Sequence, residues 1–216
     1  MTGLFMWFMS QSSVLSYNYA TMNQLFSIGP IVFMFLIPAV TMQTFAEEKQ
    51  NRTLEFLTTK PLTDWQIISG KYLACLMLIL MAIAPTIIYY ISIVQLGSPK
   101  GNIDNGAVIG SYIGLYFLAA IFASIGMLMS SLTSNQIVAF ILAAFGCFLM
   151  FWFFDFIGNL PVFFGNSDDL IKSLGIDYHY NNISQGRIDS RDVIYFLSMI
   201  GLFLWLTFVS LDRRKW

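Results

Sequence analysis

The sequence predicts an all-α, polytopic membrane bundle, and three observations carry that expectation. Of its 216 residues 57% are hydrophobic and 11% charged, whereas a soluble domain carries roughly a quarter charged residues. Apolar runs of spanning length recur five times, and the stretches between them hold most of the Lys, Arg, Asp and Glu. Such a chain needs lipid as its solvent.

A helix crosses the hydrocarbon in about 20 mainly apolar residues, because each residue rises about 1.5 Å and the core is about 30 Å thick. The five runs at about 25–45, 72–94, 108–132, 136–157 and 193–211 meet that length within a single transmembrane domain, 1–216. Pro30 and Pro38 fall in the first and Pro85 in the second. Lipid-embedded helices tolerate proline when neighbours re-satisfy the freed carbonyls, so kinks are expected there. Ahead of these spans, residues 1–9 (MTGLFMWFM) are apolar but too short to span, and they lack the positive start of a signal peptide. They read as the end of a missing helix, the remnant of a sixth span. The alternative is a segment resting at the interface with Trp7 as its anchor.

Positive charge orients the bundle, because loops rich in Lys and Arg stay in the cytoplasm. Lys49, Arg52, Lys60 and Lys71 lie between the first two spans, and Arg213, Arg214 and Lys215 lie in the tail. Five spans put both groups on one face, so 46–71 and the C-terminus are expected inside and the loops 95–107 and 158–192 outside. The outer loop contains Ser167, Asp168 and Asp169 ahead of Leu170, Ile171 and Leu174, with Gly175 following. That order reads as a short capped amphipathic helix on the membrane surface, or as a gate for a substrate or partner. In the third span Gly110 and Gly114 form a small-xxx-small pair, continued by Ala119, Ala120, Ala123, Ser124 and Gly126. Small residues let helix backbones approach closely, here within the chain or between two copies.

The segment 46–71 has its own helix chemistry. Thr63 and Gln66 have the spacing of a capping box, Leu62 and Ile67 that of a hydrophobic staple, and Asp64 puts negative charge at the helix start. A helix should therefore begin at Asp64 and run into the membrane. Pro61 supplies no amide and disfavours a helical Lys60, which separates this helix from a short one around 53–58. Leu54, Phe56, Leu57 and Trp65 then stand among Glu47, Glu48, Arg52 and Glu55. Apolar residues rimmed by charge either dock a partner protein or lie on lipid headgroups, and physics alone leaves both open.

The stretch 45–72, FAEEKQNRTLEFLTTKPLTDWQIISGKY, resembles the signature of ABC-2 type permeases, in which EEK, a turn, a TLE motif, a T-x-P and a final GKY follow in order. FLIPAVTM at 35–42 and ISQGRIDSRDVIYFLSMIGLFLWLT at 183–207 make the chain similar to the permease of bacterial gliding-motility transporters. The resemblance implies a permease of the bacterial inner membrane that binds no cofactor itself and pairs with a second permease chain, identical or different. An ABC ATP-binding subunit would hold ATP and Mg. By position, Glu47, Glu48, Arg52, Leu54, Glu55, Leu57, Pro61, Trp65, Gly70 and Lys71 would form or support the ATPase-coupling segment, and the resemblance implies an exporter.

Other functions find little support. A net charge of −1 with 11 scattered basic residues offers no face for nucleic acid. Cys75 and Cys147 both fall in apolar stretches and read as free buried thiols, so no metal site is expected. Glu47, Glu48 and Arg52 fit the EExxxR pattern of an intramembrane protease family, yet the single histidine, His179, falls in the outer loop. Without a base beside the glutamates no catalytic residue is assigned. Gly70 and Lys71 lack the further glycine and hydroxyl of a phosphate loop, so ATP must bind elsewhere. The competing reading from another class is a structural membrane subunit of a motility or secretion apparatus that moves no solute.

Overall fold

A computed structural model describes residues 22–53, 63–96, 103–159, 172–187 and 189–212. Among them no strand occurs, and the helices are α1 (Asn23–Thr41), α2 (Gln43–Gln50), α3 (Asp64–Ile83), α4 (Ile87–Leu96), α5 (Asn105–Leu132), α6 (Gln136–Gly158), α7 (Ile176–Ser184) and α8 (Ser190–Asp212). Five helical stretches are long and apolar enough to cross a membrane: Asn23–Gln50, Asp64–Gln95, Asn105–Leu132, Gln136–Gly158 and Ser190–Asp212. The chain is an all-α polytopic membrane protein.

Helix α5 is the axis of the bundle. Of its most apolar window 78% is buried inside the protein, against 11% for the α3–α4 stretch, 22% for α6 and 17% for α8. Its small residues account for that position. A Cβ on Gly126 would stand 2.0 Å from Thr41 Oγ1, and one on Gly29 would stand 2.9 Å from the Leu115 side chain. At these two glycines the backbone of one helix lies against a side chain of the other, the means by which helices gain packing where lipid is as apolar as leucine. The outer surfaces of α3, α6 and α8 carry the complement, exposed Met77, Met81, Phe145, Phe156, Leu197 and Trp205 among others.

Local chemistry sets the helix ends. Asp104 accepts from the Gly106 and Ala107 amides to start α5, and Asn135 accepts from those of Ile137 and Val138 to start α6. Helix α3 begins at Asp64 behind a complete capping box, with Thr63 and Gln66 exchanging side-chain bonds at 3.4 and 3.0 Å. Pro85 cannot donate to the helical ladder, and around it the chain tightens into a 3-10 turn, Ala84–Thr86, before resuming as α4. Thr86 bonds back to the Ile83 carbonyl at 2.6 Å. At Pro38 α1 continues to Thr41, whose hydroxyl donates to the Ile37 carbonyl at 3.0 Å.

The surface helix expected from Ser167, Asp168, Asp169, Leu170 and Ile171 lies outside the described residues, as do residues 1–9. The described part of that loop holds α7. Ile176, His179, Tyr180 and Ile183 form its buried face at the i, i+3, i+4, i+7 spacing of an amphipathic helix. This face packs into the bundle against α5, with the Tyr180 hydroxyl donating to the Phe26 carbonyl at 2.7 Å.

Candidate functional site

The candidate site is built on α2 and the start of α3. Helix α2 has no cap of its own, because Met42 in the N-cap position is helical (φ −56°, ψ −30°) and its side chain accepts nothing. First-turn amides of a helix need acceptors from elsewhere. Ser130, in the last turn of α5, provides one. Its Oγ accepts from Phe45 N and Ala46 N, each at 3.0 Å, and donates to the Met42 carbonyl at 2.9 Å. Phe45, Ala46 and Ser130 are all fully buried.

At its other end α2 closes in a Schellman arrangement. Thr53 N donates to the Glu48 carbonyl at 2.9 Å and Arg52 N to that of Lys49 at 3.3 Å, while Arg52 adopts a φ of +57°. Glycine usually occupies this left-handed position, so a Cβ there carries strain. The turn redirects the chain immediately before residues 54–62.

Two lysines fasten α2 to its neighbours. Lys71, on the second turn of α3, donates to the Thr44 carbonyl, stands 4.5 Å from the Phe45 ring centroid and lies 2.5 Å from Glu48 Oε2. Its contact with Glu48 is an ion pair rather than an aligned hydrogen bond. Lys49 donates to the Ser131 carbonyl, which also accepts from Ser210 of α8 at 3.4 Å. Trp65 stacks on Phe208 of α8 with centroids 5.1 Å apart, so α8 also supports this face. The helices α2 and α8 thus meet the end of α5 at Ser130 and Ser131, and α3 joins them through Lys71 and Trp65.

Of the residues singled out by sequence, Glu48 and Lys71 pair with one another, Arg52 forms the turn, Glu47 is half-buried and Trp65 partly exposed. Gly70 is exposed, and a Cβ there would meet nothing within 4 Å. Leu54, Glu55, Leu57 and Pro61 lie outside the described residues, as do Leu62 of the staple and the short helix around 53–58 beyond Thr53. Gly110 and Gly114 sit at the opposite end of α5, against Ile183 of α7. Sequence reasoning passed over Thr44, Phe45, Ser130, Ser131 and Phe208. Ser130 and Ser131 closing a long apolar helix were the available signal, since a serine there has an oxygen to share.

His179 is remote from Glu47 and Glu48. Its ring bonds the Asp192 carboxylate at 2.6 Å and the Ser173 carbonyl at 2.7 Å and stacks on Tyr195. Its helix packs at Gly114, whereas α2 packs at Ser130, and the helix between them is about 24 Å long. The glutamates therefore have no histidine beside them. Near α7 a cleft of about 180 Å³ is lined by Asp155, Lys172, Asp177, Tyr178, Asn181 and Asn182. Burial first and the Asp155 charge second raise the Asp177 pKa, while a hydrogen bond from Asn181 lowers it.

Residues 4–175 match the family model described as "ABC-2 family transporter protein". The matched stretch includes α1 to α6 and ends before α7. A search of curated proteins returns no match.

Proposed function

Because this chain belongs to the ABC-2 transporter family, we propose that it is the permease of an ABC exporter, coupled through 46–71 to hydrolysis by a separate ATP-binding subunit. The family comprises membrane components, and an ATP-binding partner follows from membership. In this reading the partner holds ATP and Mg, and this chain binds neither. It receives the partner's movement through residues 46–71 and tilts between inward and outward states. Two permease chains, identical or different, enclose the path in a bacterial inner membrane. The resemblance at 35–42 and 183–207 favours a gliding-motility transporter.

The observation that carries the reading is the anchoring of α2. A helix meant to transmit force must be held firmly by the bundle while its exit remains available to a partner. Ser130, Lys49 and Lys71 hold α2, and the Arg52 turn delivers the chain into the apolar and charged stretch 54–62. Glu48 and Lys71 act as positioning residues, and Glu47, Arg52, Trp65 and Gly70, with Leu54, Glu55, Leu57 and Pro61, form or support the coupling segment in this reading.

The test is ATP hydrolysis by the ATP-binding subunit from the same genome, measured in proteoliposomes with and without this chain. Hydrolysis that depends on this chain supports the reading. Hydrolysis indifferent to it, together with failure of the two to associate, would leave the structural-subunit alternative.

A further inference from the structure

We propose that Ser130 is the positioning residue through which displacement of α2 enters α5 and travels along that helix to α7 at its far end. The inference rests on the coupling role of α2 given above. One buried hydroxyl serves three backbone groups of the α1–α2 junction, the Phe45 and Ala46 amides and the Met42 carbonyl. No rotation of α2 about its axis preserves all three bonds unless the end of α5 moves with it. Lys49, one turn further along α2, makes a second attachment at the neighbouring Ser131 carbonyl. Two attachments to adjacent residues resist both sliding and pivoting.

From there α5 has the properties of a rigid rod. It is the most enclosed helix of the bundle, without proline in its 28 residues. Its other end is joined to α7 as closely as its near end is to α2. Ser111 Oγ donates to the Ser184 carbonyl at 2.8 Å, and a Cβ on Gly110 would stand 2.7 Å from the Ile183 carbonyl. Ser111 and Ser130 are separated by about 28 Å of helix. A small shift of α5 must therefore displace α7, because close-packed contacts do not deform continuously. In turn, α7 lines the cleft with Asp177, Tyr178, Asn181 and Asn182.

Amide hydrogen exchange in the complete complex, in lipid nanodiscs with and without Mg and a non-hydrolysable ATP analogue, tests this. In the native complex the nucleotide is expected to change exchange at both 43–50 and 176–187. Ser130→Ala should keep the response at 43–50 and lose it at 176–187, whereas a destabilised protein would exchange faster throughout and irrespective of nucleotide. Ser111→Ala, which leaves the α2 anchor untouched and removes one of the joints to α7, should keep the response at 43–50 and diminish that at 176–187, and serves if Ser130→Ala folds poorly. A native-sized response at 176–187 in either variant would overturn the inference, since the signal would then travel through α1. Absence of that response in a native complex that retains its ATPase would overturn it too and leave the proposed function standing. Failure of the native chain to hold the ATPase would remove both.

Discussion

The Lys71 ammonium lies 2.5 Å from the Glu48 carboxylate and 4.5 Å from the centre of the Phe45 ring, joining the start of α3 to the middle of α2. Their side chains are only 21% and 26% exposed, so solvent screens the pair incompletely. Sequence alone named both residues without pairing them, because 23 positions separate them.

Lys71→Met removes the charge, the bond to the Thr44 carbonyl and the partner of Glu48 at once. A hydrogen-bonded charge in a partly buried site contributes about 2 kcal/mol. The expected outcome is a lower thermal midpoint in detergent, with Lys71→Met, Glu48→Gln changing stability little more than Lys71→Met alone. Additive losses in that double variant would show that the two side chains act independently.

Arg52 pays a conformational cost at φ +57° that glycine would not. Arg52→Gly should stabilise the end of α2 by about 1 kcal/mol, read as a higher thermal midpoint of the isolated chain. The same variant should weaken association with the ATP-binding subunit if the guanidinium contacts it. Destabilisation of the isolated chain would mean that the side chain makes contacts worth more than the strain.

Gly110→Ala and Gly201→Ala separate two kinds of glycine in spanning helices. A Cβ on Gly110 meets backbone at 2.7 Å, whereas one on Gly201 meets nothing within 4 Å. Overpacking at Gly110 should cost about 1–3 kcal/mol, and Gly201→Ala should be neutral or slightly stabilising through helix propensity. Equal effects in a melting experiment would contradict the α5–α7 packing.

The Asp177 carboxyl has its pKa raised above the ordinary 3.8, by burial first and Asp155 second. A raised folded pKa means that the folded state prefers the protonated acid. Its stabilising contribution is fully present below the ordinary value and is lost as pH rises through the folded pKa. Asp177→Asn should therefore stabilise α7 at neutral pH and make little difference near pH 4, as read by amide exchange over 176–187. A variant less protected than native at neutral pH would contradict this.

Much of the fold was legible because lipid imposes simple demands. Spanning length marked the five helices, and the Thr63–Gln66 box marked the start of α3 at its first residue. Helix α7 was legible in principle, through Ile176, His179, Tyr180 and Ile183, but a nine-residue helix beside an acidic capping pattern drew less notice than Ser167 to Gly175. The anchoring of α2 was hidden for another reason. Ser130 reaches Phe45 across 85 positions, and no local spacing reports a cap supplied by a distant helix. The fate of Gly110 was half visible: small residues announce close approach, but only the folded chain brings Ile183 to it.

Docking of the ATP-binding subunit on residues 46–71 is measured by co-purification in detergent with the ATP-binding subunit of the same genome. The native chain is compared with Leu54→Asp, which puts a charge into the apolar part of the proposed docking stretch. The native chain is expected to retain the ATPase and the variant, folded and inserted, to lose it. Retention of the ATPase by Leu54→Asp in native proportion would contradict the claim.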